Sequence, residues 1–306
     1  MKTIYVDNNA TTRVAPEVLE AMLPYFSEFY GNPSSMHFFG GQVQKKVNEA
    51  RERVADFLGA EPSEIVFTSC GTESDNAAIL GTLDSYPEKR HFITSRVEHP
   101  AVMNVSSHLS RKGYRTTEIS VDREGRLDLD ELKESITDET ALASIMYANN
   151  ETGVLFPIEE IGEIVKSSGI PFHTDGVQAA GKIPLNMKKS TVDLLSLSGH
   201  KLHAPKGVGV LYIRKGTRFS PFMIGGHQEK GRRGGTENVP YIIGVGKACE
   251  LAKKHLEEEN TRVRALRDYL EVKILEKVPN TLVNGDRNNR LPNTLSVSFE
   301  YVEGES

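Results

Sequence analysis

The sequence is nearly empty of cysteine. Cys70 and Cys249 stand alone, too few for a disulfide framework and wrongly spaced for a zinc site, which fits a reducing compartment. No stretch approaches the roughly 18 consecutive apolar residues of a membrane span. The start, "MKTIYVDNNATT", has no apolar signal core, so the expected location is cytoplasmic, with no membrane partner. Positive charge is not in excess either: a net charge of -5 and a pI near 6.0 argue against general nucleic-acid binding and favour a small-molecule or protein partner. There is no low-complexity tract, no long block of one charge and no internal repeat. With 38% hydrophobic and 26% charged residues, the disordered and fibrous classes are excluded. What remains is a folded chain of 306 residues, long enough for one large domain or for a large and a small one.

From residue 62 the chain alternates short apolar runs with segments of helical period. "EIVFTS" (64–69) precedes a helix expected over Thr72 to Leu83, and "HFITS" (91–95) precedes one opening near "HPAVMNV". "ALASIMY" (141–147) precedes "PIEEIGEIVKS", and "PFHTD" (171–175) leads through "GVQAAGK" to "VDLLSLS" (192–198). Strands alternating with helices predict an α/β fold with a mostly parallel sheet covered on both faces, because parallel pairs need crossovers. "GVGVLYIR" (207–214) follows after too short a loop for a crossover and is expected to run antiparallel, giving one mixed edge. Amphipathic stretches at 239–257 and 260–278 and the short runs "TLVNG" and "TLSVSFEY" then replace the alternation. The expected division is a large domain over 14–255 and a smaller α+β domain from 1–13 and 256–306, the latter incomplete at Ser306.

Ligands of open α/β sheets bind at the carboxyl ends of the strands. The residues following the runs are "CGTES", "RVEHP", "ANNETG", "DGVQ" and "GHK", which would bring Thr72, His99, Asn150, Asp175, Gln178, His200 and Lys201 to one rim. Each has a plain alternative. "TSCGTES" is either a simple N-cap or a phosphate cradle, since glycine and hydroxyls at a helix start present amides and a dipole to an anion. Asp175 and His99 can each serve as helix-start residues, Asn150 can shape a turn, and Lys201 can be a solvated loop charge. His200 and His203 have no carboxylate or cysteine at ligand spacing, so no metal is expected.

The combination is more specific than its parts. A lysine amine forms Schiff bases with carbonyl cofactors, and pyridoxal 5'-phosphate needs that lysine, a phosphate cradle and a carboxylate for its ring nitrogen. On this reading Lys201 holds the cofactor aldehyde, Ser198 and His200 reach the phosphate, and Asp175 keeps the ring nitrogen protonated.

The motifs "VDNNATT", "YGNPSSMH", "FTSCGTESDN", "EHPAV", "ANNETG", "HTDGVQAAGK", "SLSGHKLHAPKG", "GGHQEKGRRGGTENVP" and "LPNTLSVSF" resemble the cysteine desulfurases of the class V aminotransferase fold, nearest to the NifS and IscS group. The resemblance runs over nearly the whole chain. It implies a pyridoxal-phosphate-dependent transferase of fold type I that takes sulfur from L-cysteine, releases alanine and supplies iron–sulfur cluster assembly. Carried over by motif, Lys201 resembles the Schiff-base lysine and His99 the residue stacked on the pyridine ring, both catalytic. Asp175 faces the ring nitrogen, while Gln178 and Asn150 lie around the ring hydroxyl, Asn150 also meeting substrate. Gly71, Thr72, Ser198 and His200 resemble phosphate ligands. Thr236 resembles the threonine that reaches the neighbouring subunit's phosphate, implying a homodimer with shared sites. The implied protein partner is an iron–sulfur scaffold or another sulfur acceptor. A positive cofactor environment is expected to lower the pKa of Lys201 and prepare it as a base.

The family's catalytic cysteine lies after the strand of "SVSF" and the following helix, and its substrate-carboxylate arginine further on; neither has a counterpart among residues 1–306. Cys70 sits on the phosphate side and is expected to be a small buried residue. Cys249, inside "GVGKACELAKK", is expected to pack. Another class V reaction, by a selenocysteine lyase or an aminotransferase, and a non-catalytic cofactor-bearing scaffold for a sulfur-transfer partner, stand as alternatives. The expected behaviour of residues 1–306 is cofactor binding with little or no alanine formed from L-cysteine, and alanine release at an ordinary desulfurase rate would overturn it.

Overall fold

The alternation of apolar run and amphipathic segment resolves into helices and strands in a computed structural model that describes residues 4–303. Residues 1–3 and 304–306, assigned above to the small domain, lie outside the described residues. Helices α1 (Pro16–Met22) and α2 (Pro24–Ser27) lead into the long α3 (Phe38–Leu58). The sequence reading assigned no element to α3. Its buried Val43, Val47, Ala50, Val54 and Leu58 follow helical spacing but are diluted by charges between them, and Gly59 ends it at φ 61°, a left-handed conformation that suits glycine.

The expected units then follow, β1 (Ile65–Thr68), α4 (Gly71–Asp84), β2 (His91–Ser95), α5 (Pro100–Arg111), β4 (Thr140–Ser144) and α7 (Ile158–Ser167), with two unexpected elements, β3 (Arg115–Ile119) and α6 (Leu129–Ser135), between α5 and β4. β5 (Phe172–Asp175), β6 (Leu194–Ser198) and β7 (Gly209–Ile213) complete the sheet. In α7, Ile158, Ile161, Gly162 and Val165 make the buried stripe, while Glu159 and Glu160 open the helix and Lys166 closes it, matching its dipole. β3 reads "RTTEI" and is partly exposed, so it carries no continuous apolar run.

The sheet order is β1-β7-β6-β5-β4-β2-β3. Pairs β6/β5, β5/β4, β4/β2 and β2/β3 are parallel, and β7 is antiparallel to both β6 and β1. The expected antiparallel run is therefore present but does not form the edge, because β1 pairs along its outer side. β1 consequently points the same way as β6, and the carboxyl ends of β1, β2, β4, β5 and β6 share one rim.

Alternation along the strands divides the core. Ile65, Phe67, Leu195, Leu197, Val210 and Tyr212 face the layer that holds α1, α3 and α7. Val66, Leu194, Leu211 and Ile213 face α4, and Phe92 and Leu142 face α4 and α5. The first layer also contains α8 (Val239–Glu258), which packs on α3. A π-helical turn, Glu259–Val263, joins it to α9 (Arg264–Lys277), so the boundary expected near residue 255 falls within continuous helix. Asn260 donates to the carbonyls of Lys182 (2.8 Å) and Leu256 (2.9 Å), pinning that turn. β8 (Thr281–Val283) and β9 (Val297–Phe299) form a separate antiparallel pair.

Helices α3 and α8 approach closely because one contact residue has no side chain. A Cβ at Gly246 would lie 2.7 Å from the Cβ and 2.8 Å from the Cα of Ala50. Gly246→Val should therefore destabilise the fold by about 1–3 kcal/mol through overpacking, read as a lower urea midpoint. An unchanged midpoint would show that the two helices can separate freely.

Candidate active site

The common rim gathers the loops after five strands into one cavity of about 490 Å³. Gly71 and Thr72, His99, Asn150, Asp175 and Gln178, and Ser198, His200 and Lys201 all line it. Thr236 does not: it is exposed in the segment before α8.

Each side chain is set by its local backbone. α4 begins at Gly71, one residue before the expected start, and its N-cap is Cys70, whose Sγ accepts the Glu73 N–H at 3.4 Å. The first amides of the helix have no intrahelical acceptor and point toward the cavity end of the helix. A Cβ at Gly71 would sit 3.2 Å from both Ser198 Cβ and Val177 Cγ2, so glycine leaves the cradle open. Cys70 is half-buried and lines the cavity, more open than expected. Cys249 is buried as expected, and burial pushes its thiol up to about 12.

His99 is the N-cap of α5, its Nδ1 accepting the Ala101 N–H at 3.1 Å. The helix-start role and the cavity-lining position thus coexist, since capping uses only one ring nitrogen. Asp175 ends β5 and accepts the Val177 N–H at 2.9 Å. Burial raises its pKa, against the lowering effect of that N–H, His99 and Lys201.

Lys201 lies in a short 3-10 turn, Gly199–Lys201, directly after β6. Its Nζ donates to the carbonyl oxygens of Asn9 and, at 2.9 Å, Ala10. Burial lowers its pKa, while Asp175, Asp7 and Glu151 oppose the shift. Desolvation within the chain itself therefore acts in the same direction as the effect expected of a bound cofactor. A neutral amine has two N–H bonds for the two carbonyls and a lone pair left over. His200 is also lowered by burial, and its Nδ1 meets Thr11 Oγ1 at 3.1 Å.

The N-terminal segment also lines the cavity, through Asp7, Asn9 and Ala10. Asn9 O also accepts from Gln178 Nε2 at 3.1 Å, Asn9 Nδ2 donates to Thr294 Oγ1 at 3.0 Å, and Thr12 N donates to His200 O at 2.9 Å. The motif "VDNNATT" was the available signal, but only the fold brings it onto the lysine turn. Asp75 was missed too, although it lies one helical turn beyond Gly71 on the same face. It lines the cavity, is buried, and has Oδ1 without a hydrogen-bond partner among the described residues. Burial and the neighbouring Asp175 push its pKa well up.

Behind the rim, Glu98 is buried with Oε1 accepting Ser95 Oγ (2.6 Å) and Met146 N (2.9 Å). His173 is held between Ser144 Oγ (2.8 Å) and Ser196 Oγ (3.0 Å) and kept neutral by burial, its pKa lowered to about 3.

Pyridoxal 5'-phosphate fits these residues on three observations: an open glycine cradle at a helix N-terminus, a half-buried amine held by two carbonyls, and a buried carboxylate at the adjacent strand end.

Comparison with known proteins agrees with this geometry. A family model described as aminotransferase class-V matches residues 4–306. A cysteine desulfurase of Trichormus azollae is 62% identical over 306 residues, covering 100% of this chain and 76% of that protein. Among solved structures, a NifS-like protein superposes with a TM-score of 0.96 at 43% identity, over 99% of this chain and 84% of that one. A structure described as SspA in complex with cysteine gives 0.88 at 38% identity, over 97% and 84%.

Burial raises the Glu98 pKa from 4.5 to about 8. The unfolded chain releases that proton near 4.5 and the folded chain keeps it, so stability is lost as pH rises toward 8. His173, lowered from 6.5 to about 3, works the other way and costs stability as pH falls below 6.5. Between pH 6.5 and 8, Glu98→Gln should therefore flatten the decline in unfolding free energy, by up to about 1.4 kcal/mol per pH unit. Equal slopes for the two proteins would show that Glu98 is ionised when folded.

Proposed function

For a chain that belongs to the class V aminotransferase family, and to the cysteine desulfurases within it, we propose the conversion of L-cysteine to L-alanine with pyridoxal 5'-phosphate. The sulfur leaves as a persulfide and supplies iron–sulfur cluster assembly through a scaffold or another acceptor protein. The observation that carries this reading is the meeting of Lys201, Asp175 and the α4 N-terminus in one cavity.

When bound, the cofactor supplies an aldehyde for Lys201 and a protonated ring that withdraws electrons from the substrate Cα. The residues of the chain do the rest. Gly71, Thr72, Ser198 and His200 hold the phosphate at the helix start, where amides and dipole favour an anion. Asp175 keeps a proton on the ring nitrogen, His99 covers the ring, and Gln178 and Asn150 orient the ring hydroxyl, with Asn150 also contacting substrate. Lys201 Nζ, favoured in its neutral form by burial, would accept the Cα proton of the substrate. Neither Cys70, which caps α4, nor Cys249, which is buried, is proposed as the sulfur acceptor. Following the resemblance, that role goes to a thiolate on a mobile loop that has no counterpart among residues 1–306.

The same reading makes the protein a cytoplasmic homodimer in which Thr236 reaches the partner's phosphate. Exposed Tyr30, Met36, Phe38 and Ile224 support an apolar contact surface. It also divides the chain into a large cofactor domain over 14–255 and a small one from 1–13 and 256–306, supported by the separate β8/β9 pair.

A visible absorption spectrum tests the proposal. The chain with pyridoxal 5'-phosphate should show a band that is absent in Lys201→Ala and shifts on adding L-cysteine. A band indifferent to Lys201, or one unmoved by cysteine but moved by other amino acids, would overturn the assignment. Asp175→Asn should retain the cofactor and slow cysteine-dependent spectral change by about 100-fold or more, since the ring nitrogen loses its charged partner.

A further inference from the structure

The proposed function leaves two charged side chains beside the phosphate cradle unexplained. Residues 225–237 form a glycine-rich segment that ends at α8 and carries Thr236. Glu229 and Lys230 within it have left-handed backbones, at φ 47° and 58°, a conformation that non-glycine residues hold only under constraint. The constraint is visible: Glu229 accepts from Arg51 Nη1 and Nη2, each at 2.7 Å, and from Phe67 N at 3.1 Å. Four positions on, Arg233 Nε donates to Glu73 Oε1 at 2.8 Å, and its Nη2 donates to Oε2 at 3.2 Å.

Glu73 is the acidic residue of the first turn of α4, next to Thr72, and its side chain is 7% exposed. Its Oε2 also accepts the Ser69 N–H at 2.7 Å. A buried carboxylate at that position favours the helix dipole but repels a phosphate brought to the same amides, and poor screening lengthens the reach of the repulsion. A bidentate arginine cancels the charge while fixing the geometry. The pair therefore does two things at once. It neutralises the cradle, and it ties the Thr236 segment to the turn that forms it.

We propose that Arg233 is a positioning residue for the cofactor phosphate, acting through Glu73 by removing its charge from the cradle and docking segment 225–237 there. This rests on the reading of the α4 N-terminus as the phosphate site.

The test compares pyridoxal 5'-phosphate with pyridoxal, which lacks the phosphate, by absorbance titration of the whole chain. The ratio of the two affinities isolates the phosphate contribution, which a general loosening of the fold would not move. Arg233→Ala should lower the ratio by about tenfold, because an unpaired carboxylate is then left in the first turn of α4, beside the amides that receive the phosphate. Adding Glu73→Gln to that variant should restore most of the ratio, and Glu73→Gln alone should raise it, since Arg233 is then an uncompensated cation. An unchanged ratio in Arg233→Ala, or a double variant no better than the single one, overturns the inference. Should Arg233→Ala not fold, Glu73→Gln decides alone, and a ratio that stays level or falls overturns it. Wild-type chain that shows no Lys201-dependent binding of either ligand overturns the cofactor reading and this inference together.

Discussion

Parallel strands can be joined only by a crossover that returns across the sheet, so every loop leaving their carboxyl ends emerges on the same side. In this chain that constraint acts on β2, β4, β5 and β6, and the antiparallel β7 extends it to β1 by standing between β1 and β6. Residues as far apart as Gly71, His99, Asn150, Asp175 and Lys201 therefore face one cavity. The site needs no special loop conformations beyond this, because capping and strand ends already aim the side chains.

Water exclusion then sets the chemistry of the rim. The same burial favours a neutral Lys201 amine and pushes Asp175, Asp75 and Glu98 toward their protonated forms. Asp175 is the carboxylate with Lys201, His99 and the Val177 N–H working to keep it charged, which distinguishes it from its neighbours. Charge is thus sorted by contact rather than by residue type. Glu73 shows the opposite treatment: against burial, its bonds to Arg233 and Ser69 hold its pKa down.

Much of this was legible in the residues. The apolar runs that became β1, β2, β4, β5 and β6 are short, continuous and followed by polar motifs, so both the α/β class and the rim residues could be read from them. β3 was hidden because an edge strand exposed to water has no need of apolar residues at every position. α3 was hidden because its buried stripe is interrupted by charges that face solvent. The position of β7 inside the sheet depends on its pairing with β1, a contact between distant segments to which no local pattern refers.

The sequence by itself determined the strand and helix types, the strand-end order of the site residues, and the family, because these follow from local periodicity and from motifs preserved as strings. Only the tertiary structure decided that Asn9 and Ala10 carbonyls would hold Lys201, that Asp75 would share its cavity, and that Arg233 would meet Glu73. The physical reason is the same in each case. These partners lie up to 192 positions apart, and nothing in a local pattern encodes which buried charge or donor will need which distant group to satisfy it.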